Sequence, residues 1–412
     1  MRRRSAIGFV LAVLLASGIF LMPERGLGLS AEEGAALWAV RDDVRYDVAP
    51  RDIPRHIRAD WVLFGERATT LTQPPLYFAL LNGWTRIAGE SPFAVRWLSM
   101  LWVIVGLAAS VALARRIERG GRGWLAVLVG AFCLIYAATA AYTYAQTFAL
   151  VALGAWLLTR DSSHRLSRRT LTAYALTLTA LFYTHHVAAP AVLVHGGLLW
   201  WTRRGDPSAT RDSLRGWLMA VGVAGLAFIP YLVRFAPPEL PALRETVIAL
   251  ALVALPVILA GAVRGVALAE RSAYPAVRGL LPALIIALAF VLGIGANTLA
   301  MRDHPDWAAF IAALTTEREP LQAGVVVLPP QHPLWHYDRQ PSTAWRRGVL
   351  VDLGWGAQTP ESARDVLERL RTTPRWAMLS ASHANSAIIR EQFPPESALI
   401  KTIGDTRLWR LD

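Results

Sequence analysis

The sequence predicts a polytopic α-helical membrane protein of about nine transmembrane helices, with a small extracytoplasmic α/β domain at its carboxyl end. Three observations predict it. Hydrophobic residues make up 54% of the 412 and charged residues only 17%, with mean hydropathy +0.36; a soluble domain carries about 25% charge. The apolar residues collect in stretches near the roughly 17–25 residues that cross about 30 Å of hydrocarbon. Arginines collect in alternate connections between those stretches, and so on one side. Such a chain is neither disordered nor collagenous. Its formal net charge of +12 would suggest nucleic acid in a soluble protein, but arginine placement accounts for it as a topology signal, and no nucleic-acid partner is expected. Of 42 basic residues only Lys401 is a lysine, a bias that reads as base composition. The single cysteine, Cys133, excludes an internal disulfide framework and a Cys-based zinc site.

The spans run approximately over 5–22, 94–114, 124–141, 143–159, 171–186, 187–202, 215–234, 246–263 and 279–300. The first, preceded by Arg2–Arg4, resembles a signal peptide, yet its apolar run reaches Met22 and no small-x-small site follows, which favours a retained helix. The third and fourth are nearly continuous, so a tight hairpin is expected around Ala141. Arg115, Arg116, Arg119, Arg122, Arg160, Arg165, Arg168 and Arg169 fall on the side of the amino terminus. Arg203, Arg204, Arg211, Arg215, Arg264, Arg271 and Arg278 join them, while the opposite connections hold little beyond Arg234 and Arg244. Cytoplasmic loops retain positive charge. The amino terminus is therefore placed inside and, with an odd span count, the carboxyl terminus outside.

Two segments lie beyond the bilayer on that outer face. The loop 23–93 contains two amphipathic stretches, 32–41 and 76–88, which read as short interfacial helices. The tail 301–412 alternates: helix near 306–317, strands 323–328 and 348–352, helix 360–371, strand 375–379, and closing strands 398–403 and 406–410. Alternation of this kind suggests an α/β domain. The domains are then 1–300, including the outer loop, and 301–412.

Several residues could carry chemistry. Glu32 and Glu33 follow the first span where the chain reaches the outer face, and a carboxylate there could accept a proton as general base. The alternative is structural: Ser30 as N-cap with Glu33 three residues on forms a capping box, and both acids favour the positive end of a helix. Gln73-Pro74-Pro75-Leu76-Tyr77 fixes an extended entry into a helix. Arg96 lies just inside the second span, where it either snorkels to the interface, the commoner outcome, or pairs with an anionic head group. Tyr142, Tyr144 and Gln146 stand at the outer mouth of the fourth span, where polar residues are ordinary. His185 and His186 end the fifth. Adjacent residues point in different directions on a helix, so paired metal ligation is disfavoured; interfacial packing competes with contact to a substrate phosphate. The sequence holds no Walker loop, GxGxxG after a strand, HExxH or nucleophile elbow.

The order of parts resembles the integral-membrane GT-C glycosyltransferases, in the bacterial branch similar to the Rgt and aminoarabinose transferases. LSAEEGAALW places Glu32 and Glu33 where that family has an acidic pair. TQPPLYFALLNGW and AGESPFAVRWLSMLW match its proline-rich entry and second span, most specifically over 73–102, and LFYTHH matches its Tyr-Thr-His run. DHPDWAAFIAAL and GVVVLPP resemble its outer domain, so the likeness covers nearly the whole chain. Three positions depart: Glu32 stands for Asp, Gln73 for His, and Tyr144-Ala145-Gln146 for Glu-Ala-Arg. The resemblance implies inverting transfer of a hexosyl or pentosyl unit from a polyprenyl-phosphate carrier to an envelope glycan or lipid, at the outer face of the bacterial inner membrane. Glu32 or Glu33 would be the base. Arg58, Arg67 and Arg96 would steady the leaving phosphate, and Gln73, Tyr77, Tyr144, Gln146 and His185 would line the substrate site. No organic cofactor is implied, and a divalent metal is left open. The other readings are a non-catalytic binder of lipid-linked glycan or scaffold, consistent with the missing Glu-Ala-Arg charges, and a transporter or flippase, against which stands the lack of charge deep in the spans.

Overall fold

The computed structural model describes residues 74–117, 141–161, 166–185, 189–235 and 243–271, five strands beyond 323, and scattered positions that include Glu33, Ala36, Leu37, Gly130 and Leu134. The expected spans 5–22, 124–141 and 279–300, and the expected helices 306–317 and 360–371, lie largely or wholly outside the described residues. By its internal contacts the chain divides into two compact units, 1–25 with 64–300, and 26–63 with 301–412.

The first unit is helical. Helix α1 (Leu76–Ala88) follows the Pro74–Pro75 entry and stops at Gly89, whose φ of +84° suits only glycine and whose N–H caps Thr85 O at 3.0 Å. Helix α2 (Pro92–Ile117) starts on a Ser-Pro pair. Ser91 Oγ accepts from Ala94 N at 3.1 Å, and proline at the first position gives up no hydrogen bond. Helix α3 (Tyr144–Arg160) is apolar on all sides and buried along nearly its whole length, the pattern of a bundle's central helix. It packs against α2, against α4 (Arg168–Phe182), α5 (Ala191–Arg203) and α7 (Leu243–Glu270). At Gly106 of α2 an added Cβ would lie 2.5 Å from the Phe148 ring, so this glycine permits the close α2–α3 approach. Helix α6 (Pro207–Phe235) packs on α4 and α5. Asp206 Oδ1 caps it, accepting from Ser208 N and Ala209 N at 2.9 and 3.0 Å.

Three described helices are long and apolar enough to cross a membrane: Pro92–Ile117, Pro207–Val233 and Leu250–Leu268. Only 22% of the apolar window of α6 is buried in the protein; Leu218, Met219, Val223, Leu226 and Val233 face outward, as a lipid-facing helix requires. The expected spans 171–186 and 187–202 appear as shorter helices of 15 and 13 residues. Ser167 caps α4 through Thr170 N at 3.2 Å, so this helix starts at Arg168, before the expected span, and ends at Phe182. Pro190 sets the start of α5, leaving the Tyr183–Pro190 segment between them.

In the second unit, strands β1 (Gly324–Leu328), β2 (Leu350–Asp352), β3 (Pro374–Ser380), β4 (Ala398–Ile403) and β5 (Thr406–Arg410) form one sheet in the order β2-β1-β3-β5-β4. β1 runs parallel to both β2 and β3, and β5 antiparallel to β3 and β4. Parallel neighbours need long crossovers, whereas antiparallel neighbours such as β4 and β5 can follow one another closely in sequence. All five strands fall where the sequence places them.

Candidate functional site

The helical unit draws together residues from three separate sequence blocks. Tying the first to the third, Leu76 N donates to Tyr183 O at 2.8 Å, so the proline-rich entry is fastened to the end of α4. Tyr77 OH and Ser99 Oγ share a buried hydrogen bond of 3.0 Å, and Trp84 Nε1 donates to Ala94 O at 2.7 Å. These two bonds hold α1 against the first turns of α2. Arg96 stands one turn before Ser99, on the same face.

The middle block closes the wall. Phe78 meets the Tyr142 ring edge-on at 5.9 Å, Tyr142 lies 5.2 Å from Tyr144, and Tyr144 lies 6.4 Å from the His185 imidazole. All four side chains are buried. Within this wall Gln146 is 1% exposed and Thr143 fully buried. Among the described residues neither Gln146 Oε1 nor Thr143 Oγ1 finds a hydrogen-bond partner. A buried polar atom without a partner costs about 1–3 kcal/mol, and native structures seldom tolerate two side by side. An acceptor amide and a rotatable hydroxyl so placed suit a ligand bearing hydroxyl groups.

Of the residues singled out in the sequence, Tyr77, Arg96, Tyr144, Gln146 and His185 lie in this region of the helical unit. Arg96 is 2% exposed and engaged by neighbouring groups; it is buried rather than snorkelling. A buried guanidinium is expensive unless partnered, and Arg96 is so engaged. Glu33 belongs to the second unit and is fully buried. Its spacing with buried Ala36 and Leu37 is that of one helix face, and it is engaged by neighbouring groups. Glu32, Arg58, Arg67, Gln73 and His186 lie outside the described residues. Sequence reasoning missed Ser99 and Thr143. Ser99 could have been found from its position one turn beyond Arg96, whereas Thr143 is indistinguishable in sequence from any threonine before a helix. Among the described residues no three His, Cys, Asp or Glu side chains gather in a way that could hold a metal ion.

No family model matches the chain, and no curated protein matches it. Among solved structures it is similar to ArnT from Cupriavidus metallidurans in the apo state, at 12% identity and TM-score 0.48, covering 98% of this chain and 97% of that one. It is likewise similar to ArnT from the same organism bound to undecaprenyl phosphate, at 13% identity and TM-score 0.45, covering 98% of each chain.

Proposed function

We propose that this protein is a GT-C-type glycosyltransferase of the inner membrane, with about nine spans and its α/β domain outside. It moves a sugar from a polyprenyl-phosphate carrier to an envelope glycan or lipid. The observation that carries the reading is the meeting of the three blocks that resemble the family. Residues 76–99, 142–147 and 183–185 lie far apart in sequence yet share one buried polar wall joined by the Leu76–Tyr183 bond and the Tyr144–His185 contact.

In this reading the acceptor hydroxyl attacks the anomeric carbon from the face opposite the carrier. The bond from that carbon to the phosphate oxygen breaks with its electron pair, inverting the centre. Glu32 takes the hydroxyl proton, and Arg96, with Arg58 or Arg67, steadies the charge on the departing phosphate. Gln146 and Thr143 accept hydrogen bonds from hydroxyls of the bound sugar, in place of the charged pair that relatives carry near that position. Glu33 is the other candidate for that base.

The test is transfer from a polyprenyl-phosphate sugar by the full chain in nanodiscs. Glu32→Gln keeps size and polarity but removes the proton acceptor, so transfer falls by about 10²-fold or more with the unfolding temperature unchanged and donor binding retained. Transfer undiminished by Glu32→Gln removes Glu32 from the mechanism. A wild type that binds such donors and transfers none of them is instead a lipid-glycan-binding relative.

A further inference from the structure

We infer that the arginine-rich end of the helical unit carries a second site, which binds the phosphate of an anionic phospholipid head group. An open recess of about 450 Å³ lies there between α2 and α3, lined by Ala112, Arg115, Arg116 and Trp156. It sits toward the opposite end of α3 from Gln146, its Trp156 wall roughly 15 Å away at 1.5 Å per residue. The sugar-transfer reading neither needs it nor explains it.

The side chains around the recess are held apart rather than neutralised. Arg116 Nη2 donates to Arg160 O at 2.6 Å, which fixes its guanidinium at the rim. The Arg160 guanidinium lies over the Trp156 ring, 5.1 Å from its centroid, a cation–π contact that lays Arg160 along the wall formed by Trp156. Among the described residues Arg115 makes no hydrogen bond or ion pair, and no carboxylate lines the recess. Two arginines thus line the recess, with Arg160 laid along its Trp156 wall, and among the described residues no carboxylate lines it.

Helix capping is the plainer account, since cations favour the carbonyl ends of helices. It explains Arg116, whose bond to Arg160 O closes the last turn of α3. It accounts for the place of Arg115 in the last turn of α2 but not for the recess that Arg115 lines. Arginine's fork of donors matches phosphate oxygens, and basic pockets between membrane helices on the arginine-rich side suit anionic head groups. A lipid is favoured over free phosphate because α2 is itself long and apolar enough to cross the bilayer. Its last turn, where Arg115 and Arg116 stand, then lies at head-group depth, and Trp156 is a half-buried aromatic of the kind found at that interface.

The full chain is tested in nanodiscs of phosphatidylcholine alone or mixed equally with phosphatidylglycerol, with retained lipid read by native mass spectrometry. The wild type is expected to retain phosphatidylglycerol in preference to phosphatidylcholine. Arg115→Gln should lower that retention about tenfold or more, while its unfolding temperature in phosphatidylcholine stays that of the wild type. Ala112→Phe, which projects a ring into the recess and keeps every charge, should also lower it. Equal retention of the two lipids by the wild type, or undiminished retention in both variants, overturns the site. Displacement of phosphatidylglycerol by millimolar inorganic phosphate would show a free-phosphate site and overturn the assignment to a lipid.

Discussion

Gln146 makes opposite demands on folding and on binding. Its amide is buried and its Oε1 finds no partner among the described residues, so in the empty protein it is a liability of about 1–3 kcal/mol. Replacing it by leucine removes that liability. Gln146→Leu should therefore raise the unfolding temperature by a few degrees, and on the proposed function it should lower sugar transfer by about 10–100-fold, the same free energy read as a rate. Thermal unfolding and transfer measured on one preparation decide it: higher stability with unchanged transfer would make Gln146 a packing residue. The sequence shows Gln146 only as a polar residue at the mouth of a span. Whether its amide has a partner depends on Thr143, Tyr144 and His185, the last of them 39 positions away, and no local pattern encodes that. Arg96 is the same case, since snorkelling and burial look identical in sequence.

The four central helices are pinned by a hydrogen-bond chain whose polarity can be read atom by atom. A carbonyl only accepts, so the 2.9 Å contact of His195 Nε2 with Val151 O places the proton on Nε2. Nδ1 then accepts from Tyr174 OH at 3.1 Å, and Tyr174 in turn accepts from Trp217 Nε1 at 3.1 Å. Side chains from α4, α5 and α6 and a carbonyl of α3 are thereby joined with no donor wasted. Two glycines make room: an added Cβ would lie 2.7 Å from His195 Cε1 at Gly154, and 2.7 Å from the Trp217 ring at Gly196. Because the imidazole is held on both sides, Gly154→Ala should destabilise the protein by about 1–3 kcal/mol. In a His195→Ala background the clash is gone, and the same change should cost nothing or gain up to about 1 kcal/mol of helix propensity. Equal cost in both backgrounds, measured by a double-mutant cycle, would mean that Gly154 is there for some other contact. None of this chain is visible in sequence, where His195 is a lone histidine in an apolar run. The strands were legible because each is a short apolar or alternating run with turn residues nearby, and Gly404–Asp405 marks a hairpin. The ends of α4 and α5 were less so, because Ser167 and Pro190 override the hydropathy that defined the spans.

At the scale of the helical unit, Arg116, Arg160, Arg203 and Arg264 gather on one end, and contacts between helices show it. Arg116 reaches Arg160 O, and Arg203 Nη2 donates to Asp161 O at 2.9 Å. Arg264 lies over the Trp201 ring, 5.0 Å from its centroid. Near the far ends of these helices the bonds are of a different kind, Leu76 N to Tyr183 O and Tyr183 OH to Ala227 O at 2.9 Å, and the buried polar wall lies there. Arginine spacing in the sequence thus anticipated a shared face for chain segments that only the fold brings together. Positive charge resists translocation, so the arginine end should be cytoplasmic and the polar wall should open outward, where a carrier-linked sugar and an envelope acceptor would meet. Reporter fusions after Arg169 and after Arg302 test this with one junction at each end. The first follows an arginine cluster at the start of α4 and should report the cytoplasm; the other follows the last expected span and should report the outside. Opposite compartments in the reverse order would turn the whole unit over and put the polar wall on the cytoplasmic side. The same compartment for both would mean that the number of crossings between Arg169 and Arg302 is even, and then at least one of the segments 171–186, 187–202, 215–234, 246–263 and 279–300 does not cross. The 15- and 13-residue helices α4 and α5 are the first to suspect in that event, since about 20 residues are needed to span hydrocarbon unaided.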